Sequence, residues 1–487
     1  MRLISATLLL AIISSFAAPL LLRGAPPEQA QVEQAVVKRI HYAGEPATAS
    51  LAERMRELHV PGVSVAVVAG GRIAWQQAYG LADAGTSAAV TDQTDFQAAS
   101  MSKPLTALAA LALVDQGKLA LDSDINQHLK RWQIPANEFT AKQPVTLRLL
   151  LSHRAGTTVS GFPGYKAGEA VPTIVQVLLG EKPASTEPVK VIRKPGAQFA
   201  YSGGGTTIVQ LALEDTLGQS MTELMQRNVL QPLGMTGSTF AQPLPDDWRD
   251  RAAGGHDMNG SPIGYRTHPE QGAAGLWATA GDLARYFLGV QAALAGERGA
   301  ILSTATATEM LKPVGDGTVG LGPFLTIDDG RVVRFGHGGA NAGFRGSMLG
   351  TLEGGFAAVV LTNSDEGSAL ADEVINTVAG VYGWPGPTSE SKTIVRLDSG
   401  VLDKYVGDYA IGPIKAGTIS VRDGSVFIKG MQGEVEIFFE SPTKFLNPFV
   451  GLEGEIEVGD DGVVSLTVKT GGQTIRVRKI VPKEGPK

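Results

Sequence analysis

The sequence predicts an α+β domain followed by a small all-β barrel. Three observations lead there. A β-rich hairpin pattern lies near the start (Val63–Tyr79), and β-rich runs return late, between Val332 and Asn363. The stretch between them reads as mainly helical, so one sheet built from both ends of a domain, with a helical insertion, accounts for the order. Past Trp384–Ser391, rich in Pro, Gly and Ser, the pattern changes to at least six short strands. A chain of 487 residues has room for more than one domain.

Composition narrows the function. Hydrophobic residues make up 43% and charged residues 18%, as in an ordinary globular protein with ample core. The net charge of −6 carries no basic footprint for nucleic acid. With no cysteine, disulfides, thiolate catalysis and cysteine-based zinc sites are excluded together. Met1-Arg2 and the apolar run Leu3–Ala18 have the plan of a secretory signal, with cleavage expected after Ala17. Leu20–Leu22 extend that run towards membrane-spanning length, so an uncleaved anchor is the alternative, although Pro19 suits a spanning helix poorly. A periplasmic or secreted protein is expected, with membrane association only if this segment is retained.

The elements follow in order. Residues 1–25 are expected as the signal and 26–47 as a polar lead-in. Residues 48–383 form the main domain, 384–395 a linker and 396–487 the barrel. Val63–Val68 and Ile73–Tyr79 flank Gly70-Gly71, a tight hairpin. Leu105–Gln116 is apolar on nearly all sides, hence a buried helix, stopped by Gly117. Ser220–Leu230 is an amphipathic helix, and Thr279–Asp282 has the form of a capping box before another. Val332–Phe335, Gly343–Leu349 and Phe356–Asn363 are strands, and Ala369–Val381 is a helix. In the last domain Thr418–Val421 and Val426–Lys429 flank Asp423-Gly424 as a hairpin. Val435–Phe439, Gly454–Val458, Val463–Val468 and Thr474–Ile480 continue the barrel.

The chemistry begins at Ser100-Met101-Ser102-Lys103, where a strand pattern gives way to a helix. Residues three apart share a helix face, so the Lys103 ammonium can reach the Ser100 hydroxyl. Serine needs a neighbouring base, and a lysine with a lowered pKa can serve. The helix start also aims free N–H groups at the place where an oxyanion would form. Phe199-Ala200-Tyr201-Ser202-Gly203 sets a tyrosine in a glycine-rich loop, a possible proton carrier if an adjacent Lys⁺ lowers its pKa. Gly336-His337-Gly338-Gly339-Ala340-Asn341 closes the strand Val332–Phe335 with glycines that admit a substrate backbone. His337 could donate to a carbonyl or position the tyrosine. His153 and His256 read as structural.

Together the three segments resemble the serine β-lactamase and penicillin-binding-protein superfamily, in the order and spacing of its class C branch and related esterases and D-peptidases. Leu149–His153, Pro232–Met235 and Ala274–Trp277 add lesser likenesses. The resemblance implies a β-lactamase/transpeptidase-like fold with Ser100, Lys103, Tyr201 and His337 as catalytic residues. It also implies that the N–H groups of Ser100 and Ala340 bind the oxyanion, and that Gly338, Gly339 and Gly203 line the substrate. Two departures weaken an antibiotic-hydrolase reading. Gly203 stands where class C enzymes carry an asparagine, and His337-Gly338-Gly339 stands in place of Lys-Thr-Gly. A literal Lys469-Thr470-Gly471 lies in the last domain, where Thr470–Gly472 reads as a hairpin turn, and is rejected as catalytic. Tyr405–Tyr409 resembles the start of the lipocalin-like barrel that follows some relatives, a possible route to oligomers. The resulting expectation is an exported serine hydrolase that needs no metal or cofactor and acts on a small peptide, ester or β-lactam. A class C-like β-lactamase or DD-peptidase is one alternative, and a non-turnover sensor of peptidoglycan fragments or β-lactams is another.

Overall fold

The computed structural model describes residues 25–480, apart from 316, 387–389, 423, 431–432, 448–450, 460–462 and 471–472. The expected signal and its cleavage point at Ala17 lie outside the described residues, as does part of the Thr470–Gly472 turn.

The main domain is built on a seven-stranded antiparallel sheet. Its strands are β1 (Gly62–Ala69), β2 (Arg72–Asp83), β3 (Ala88–Ala89), β4 (Phe324–Asp328), β5 (Arg331–Asn341), β6 (Phe344–Thr351) and β7 (Ala357–Thr362). Their spatial order is β4-β5-β6-β7-β1-β2-β3, so the late strands join the early hairpin through β7 and β1. Strand β1 is central and buried on both faces. Val63, Val65 and Val67 enter one core, while Ala66 and Val68 enter the other, as alternation along a strand requires.

Five helices matter here: α1 (Ser102–Asp115), α2 (Gly203–Leu217), α3 (Gln271–Ala274), α4 (Ala280–Leu294) and α5 (Gly367–Tyr382). Leu370, Val374 and Val378 of α5 cover the first face of the sheet, and Phe287 and Val290 of α4 cover the second. Helix α1 is buried on all sides from Ser102 to Leu113, in keeping with its Ala/Leu composition. Gly117, at φ +68°, turns the chain away where a Cβ would be strained. The Thr279 hydroxyl accepts from Asp282 N at 3.2 Å and starts α4.

Two stretches pack more tightly than composition implied. The polar lead-in forms a helix, Pro27–Gln34, and places Val32 and Val36 in the core beside α5. Glu373 of α5, fully buried, accepts from Arg39 N and takes two bonds from the Arg54 guanidinium, at 2.7 and 2.9 Å. Stripping that pair of one partner would leave a buried charge, so it clamps the helix Leu51–Glu57 to α5, while Arg39 N ties the lead-in to the same carboxylate. The linker is not free chain either. Trp384 is buried, and the carbonyls of Pro385 and Gly386 accept from Arg334. Lys392–Ile394 then pairs in parallel with Ile40–Tyr42.

The last domain is a closed eight-stranded antiparallel barrel spanning Gly407–Lys479. Gly407–Ile411 and Lys444–Asn447 are the strands that sequence periodicity did not reveal. Tyr409 donates to the Tyr405 carbonyl at 2.6 Å, and Tyr405 donates to the Pro442 carbonyl at 2.9 Å. That pair closes one end of the interior, which is filled by Ile419, Ile437, Phe445, Ile456 and Leu466.

Candidate active site

Ser100 sits on a single 3-10 turn, Ala99–Met101, that leads straight into α1. Ala99 just before it has φ +50°, a left-handed conformation unusual for a residue with a Cβ. Such strain persists only where the surroundings over-determine it. Here Ser102 donates to the Ala99 carbonyl at 2.6 Å and accepts from Leu276 N at 3.0 Å, while Ala98 N donates to the Leu276 carbonyl at 2.8 Å. The hydroxyl of Ser102 is therefore spent on the turn. That of Ser100, half-buried, is left to the cleft.

Lys103 is 4% exposed. Its Nζ lies 3.0 Å from Ser100 Oγ and donates to the Ala273 carbonyl of α3 at 2.9 Å. Burial alone pulls its pKa from 10.5 to about 7, because the charged form loses its hydration. Near neutral pH a substantial fraction is the free amine, with a lone pair beside the serine.

Tyr201 comes from the loop before α2. Ser202 caps that helix, accepting from Gly205 N at 2.9 Å. Lys103 Nζ stands 5.0 Å from the Tyr201 ring centroid. The expected fall in the Tyr201 pKa does not occur. Burial outweighs the lowering influence of Ser100 and pushes the phenol up to about 12, so Tyr201 is a proton donor rather than a phenolate. A lysine that is itself largely neutral supplies little charge to oppose that burial.

His337 lies within β5, which continues as a strand through Asn341 instead of ending at Phe335. Its Nδ1 lies 2.6 Å from the Gly338 carbonyl and so carries the proton. Its Nε2 is buried without a partner among the described residues. Burial lowers its pKa to about 3, so it brings no cation to the site. Its ring centroid is 6.1 Å from that of Tyr201 and 5.0 Å from that of Phe324.

Strand β4 pairs with β5 only as far as Gly336, opposite Phe324. From His337 to Asn341 that edge has no strand partner among the described residues, an opening where an extended substrate can add its own main chain. Gly338 and Ala340 are exposed along it, and Gly339 is buried. A Cβ on Gly339 would stand 2.3 Å from the Ala98 carbonyl, so glycine is what lets β5 approach the nucleophile's turn. Gly203 is placed differently from the other expected substrate contacts. It is buried with Phe162 over it, and its N–H donates to the Ser160 carbonyl.

The structure thus gathers Ser100, Lys103, Tyr201, His337 and the open edge of β5 into one cleft. It adds residues that sequence reading did not assign to the site. His153, at φ +55°, packs its ring 4.4 Å from that of Tyr201 and accepts from Ser202 N at Nδ1. Phe324 stacks on the other side of Tyr201, at 6.1 Å and 17°. The Leu149–His153 segment, the end of the short helix Leu147–Leu151 and the residues after it, was the available signal for His153. Nothing local marks Phe324. His256 serves the fold, with Nε2 accepting from Ala84 N and Nδ1 beside the Asn363 carbonyl.

The Beta-lactamase family model matches residues 47–379. The chain belongs to the Beta-lactamase family. Penicillin-binding protein 4* of Bacillus subtilis (strain 168) is 22% identical over 459 residues, 87% of this chain and 96% of that protein. Protein flp of Staphylococcus aureus (strain N315) is 27% identical over 203 residues, and that match spans 42% of this chain and 39% of flp. Among solved structures, the octameric penicillin-binding protein homologue from Pyrococcus abyssi aligns with TM-score 0.61 at 21% identity, over 88% of this chain and 98% of that one. SurE with D-Leu aligns at TM-score 0.56 and 21% identity, over 88% and 97%. The fold is that of the serine β-lactamase and penicillin-binding-protein superfamily, and membership supports a serine hydrolase or penicillin-binding role.

Proposed function

We propose that this chain is an exported serine hydrolase that forms an acyl-enzyme on an amide or ester carbonyl, acting on small peptides, including D-residue peptides, or on short acyl esters. The observation that carries the reading is Lys103 Nζ, 3.0 Å from Ser100 Oγ with its pKa drawn to about 7. Neutral Lys103 takes the Ser100 proton as Oγ bonds to the carbonyl carbon. The N–H groups of Ser100 and Ala340 stabilise the oxyanion. As the carbonyl re-forms, the bond to the leaving nitrogen or oxygen breaks. Tyr201 protonates the leaving atom and takes a proton back from the Lys103 ammonium, whose Nζ stands 5.0 Å from the Tyr201 ring centroid. Water then attacks the acyl carbon, gives its proton to the neutral amine, and Ser100 Oγ leaves with a proton. Met1-Arg2 and the apolar run Leu3–Ala18 support periplasmic or secreted localisation.

The neutrality of His337 and the coverage of Gly203 favour peptides and esters over β-lactams, because a cation and an asparagine amide are both missing. The likeness to penicillin-binding protein 4* supports a second reading, a β-lactamase or a protein that is acylated and does not turn over. Purified protein is to be assayed against nitrophenyl esters, D-Ala peptides and nitrocefin, with intact mass taken during reaction. Steady turnover of an ester or peptide, with a transient acyl adduct, is the expected result. A stoichiometric burst without turnover establishes the sensor, and no adduct with any substrate overturns the acyl-enzyme reading.

The Lys469 decoy is separately testable. Lys469 is exposed on the barrel strand Val464–Thr470, paired with Glu453 and Thr474. Lys469→Ala is expected to change kcat/KM by less than about threefold, and His337→Ala to lower it more than about tenfold, on the scale of a positioned polar group in the cleft. The reverse ordering would put the barrel, not β5, at the substrate.

A further inference from the structure

Immediately beyond Asn341 the cleft adjoins a hollow of about 350 Å³ lined by Lys166, Ile263, Gly264, Arg266 and Ala342. Two of the five lining residues are cations and none is an acid. Arg266 donates from Nη1 to the Pro163 carbonyl at 2.9 Å, which leaves most of its donors unspent. The acid nearest to Lys166 in sequence, Glu169, accepts from the Lys166 main-chain N–H at 2.7 Å. No ion pair among the described residues engages either cation's side chain.

The pocket is tied to the catalytic turn. Gln97, three residues before Ser100, donates to the Arg266 carbonyl at 2.5 Å and accepts from Asn341 Nδ2 at 2.9 Å. Asn341 also donates to the Ala274 carbonyl at 3.2 Å, next to the Ala273 carbonyl that holds Lys103. The Asn341 and Gln97 side chains, with the Ala274 carbonyl of α3, thus fix where the Arg266 main chain lies.

Its direction along β5 says which half of a substrate it meets. His337, Tyr201 and Phe324 cluster at one end of the open edge. Tyr201, as the acid, marks the leaving-group side. Ala342 follows Asn341, the last residue of β5, and so lies past Ala340 in the opposite direction, in the turn to β6. With His337 neutral, an anionic substrate group finds no cation at the leaving-group end.

We propose that the Lys166–Arg266 pocket is a carboxylate subsite for the acyl half of the substrate. Acyl donors bearing a carboxylate at the far end of a short acyl chain are then the preferred class. The proposal rests on the acyl-enzyme reading for its polarity. A guanidinium and an ammonium facing one hollow suit a carboxylate, since Arg binds it bidentately and Lys adds a point charge.

The test compares p-nitrophenyl glutarate with p-nitrophenyl valerate, which share a five-carbon acyl chain and differ in a terminal carboxylate. The ratio of their kcat/KM values, corrected for spontaneous hydrolysis, is expected to favour glutarate. It should fall about tenfold in Arg266→Ala and in Lys166→Ala, the loss of one charge-assisted contact, and fall again with added salt. Lys166 is exposed, so its variant does not threaten folding. A ratio unchanged within twofold in both variants overturns the subsite while turnover keeps the acyl-enzyme reading. If neither ester is turned over and no adduct forms, that reading fails. The pocket is then judged by calorimetric binding of the two esters to Ser100→Ala, with and without Lys166→Ala. Tighter glutarate binding that the second substitution abolishes supports the subsite, and equal binding overturns it.

Discussion

Ser100→Ala is expected to lower turnover by several orders of magnitude while leaving the fold intact. The hydroxyl is half-buried and its hydrogen-bond partner is the Lys103 amine, which can hydrate when it is gone. The turn itself does not depend on it, because the strained Ala99 is held by Ser102 and by Leu276. Loss of an activated nucleophile removes nearly all of the rate that its constellation supplies. The measurements are kcat/KM on the best ester or peptide, intact mass for the acyl adduct, and the melting transition. A residual rate within about tenfold of wild type, or an adduct that persists in the variant, would sink the mechanism. Ser102 is the one other serine in the segment. Its hydroxyl is committed in both directions to main-chain groups, so it has no free valence for a substrate.

Local chemistry made this much of the site legible. Ser100 and Lys103 are neighbours by helix geometry, a property of spacing alone. The glycines beside His337 announce a close approach, and at Gly339 it is the Ala98 carbonyl, not a substrate backbone, that makes it. What stayed hidden depends on partners far away in the chain. The Tyr201 pKa was misjudged because its direction is set by rings from His153, Phe324 and His337, none of them sequence neighbours, that bury it. The open edge of β5 depends on where β4 stops pairing. The Pro26–Ala49 segment looks polar because its anchoring is a few apolar residues plus a main-chain hydrogen bond from Arg39 N to Glu373, across more than half the chain. Lys444–Asn447 is too short for a period-2 pattern, and barrel closure alone makes it a strand. The hairpin Gly62–Asp83 and helix α1 read correctly because their turns and periodicity are self-contained.

Lys103→Met should cost at least ~100-fold in kcat/KM, the scale of a positioned base, and should at the same time stabilise the fold. The two effects have one origin. Burial draws the Lys103 pKa from 10.5 to about 7, and a pKa lowered on folding means that the fold disfavours the charged form. Below pH 7 the amine is protonated in both states, and the native state carries the whole desolvation cost. Between pH 7 and 10.5 the unfolded chain holds the proton and the native state does not, so wild-type stability rises with pH across that window. At about 1.36 kcal/mol per unit, the cost is on the order of 5 kcal/mol at and below neutrality. Methionine fills similar space without a charge to desolvate, although it forfeits the bond to the Ala273 carbonyl. The gain in melting temperature over wild type should therefore be largest at pH 6–7 and shrink towards pH 10. Wild-type kcat/KM should climb about tenfold per unit below pH 7, level off above it, and decline only as Tyr201 titrates near 12. Tyr201→Phe should also cost at least ~100-fold, and the double variant should lose less than the product of the two, since both groups carry the same proton. A wild-type profile with no inflection near 7, together with a Lys103→Met fold no more stable than the parent at pH 6, would remove the neutral-amine base from the mechanism.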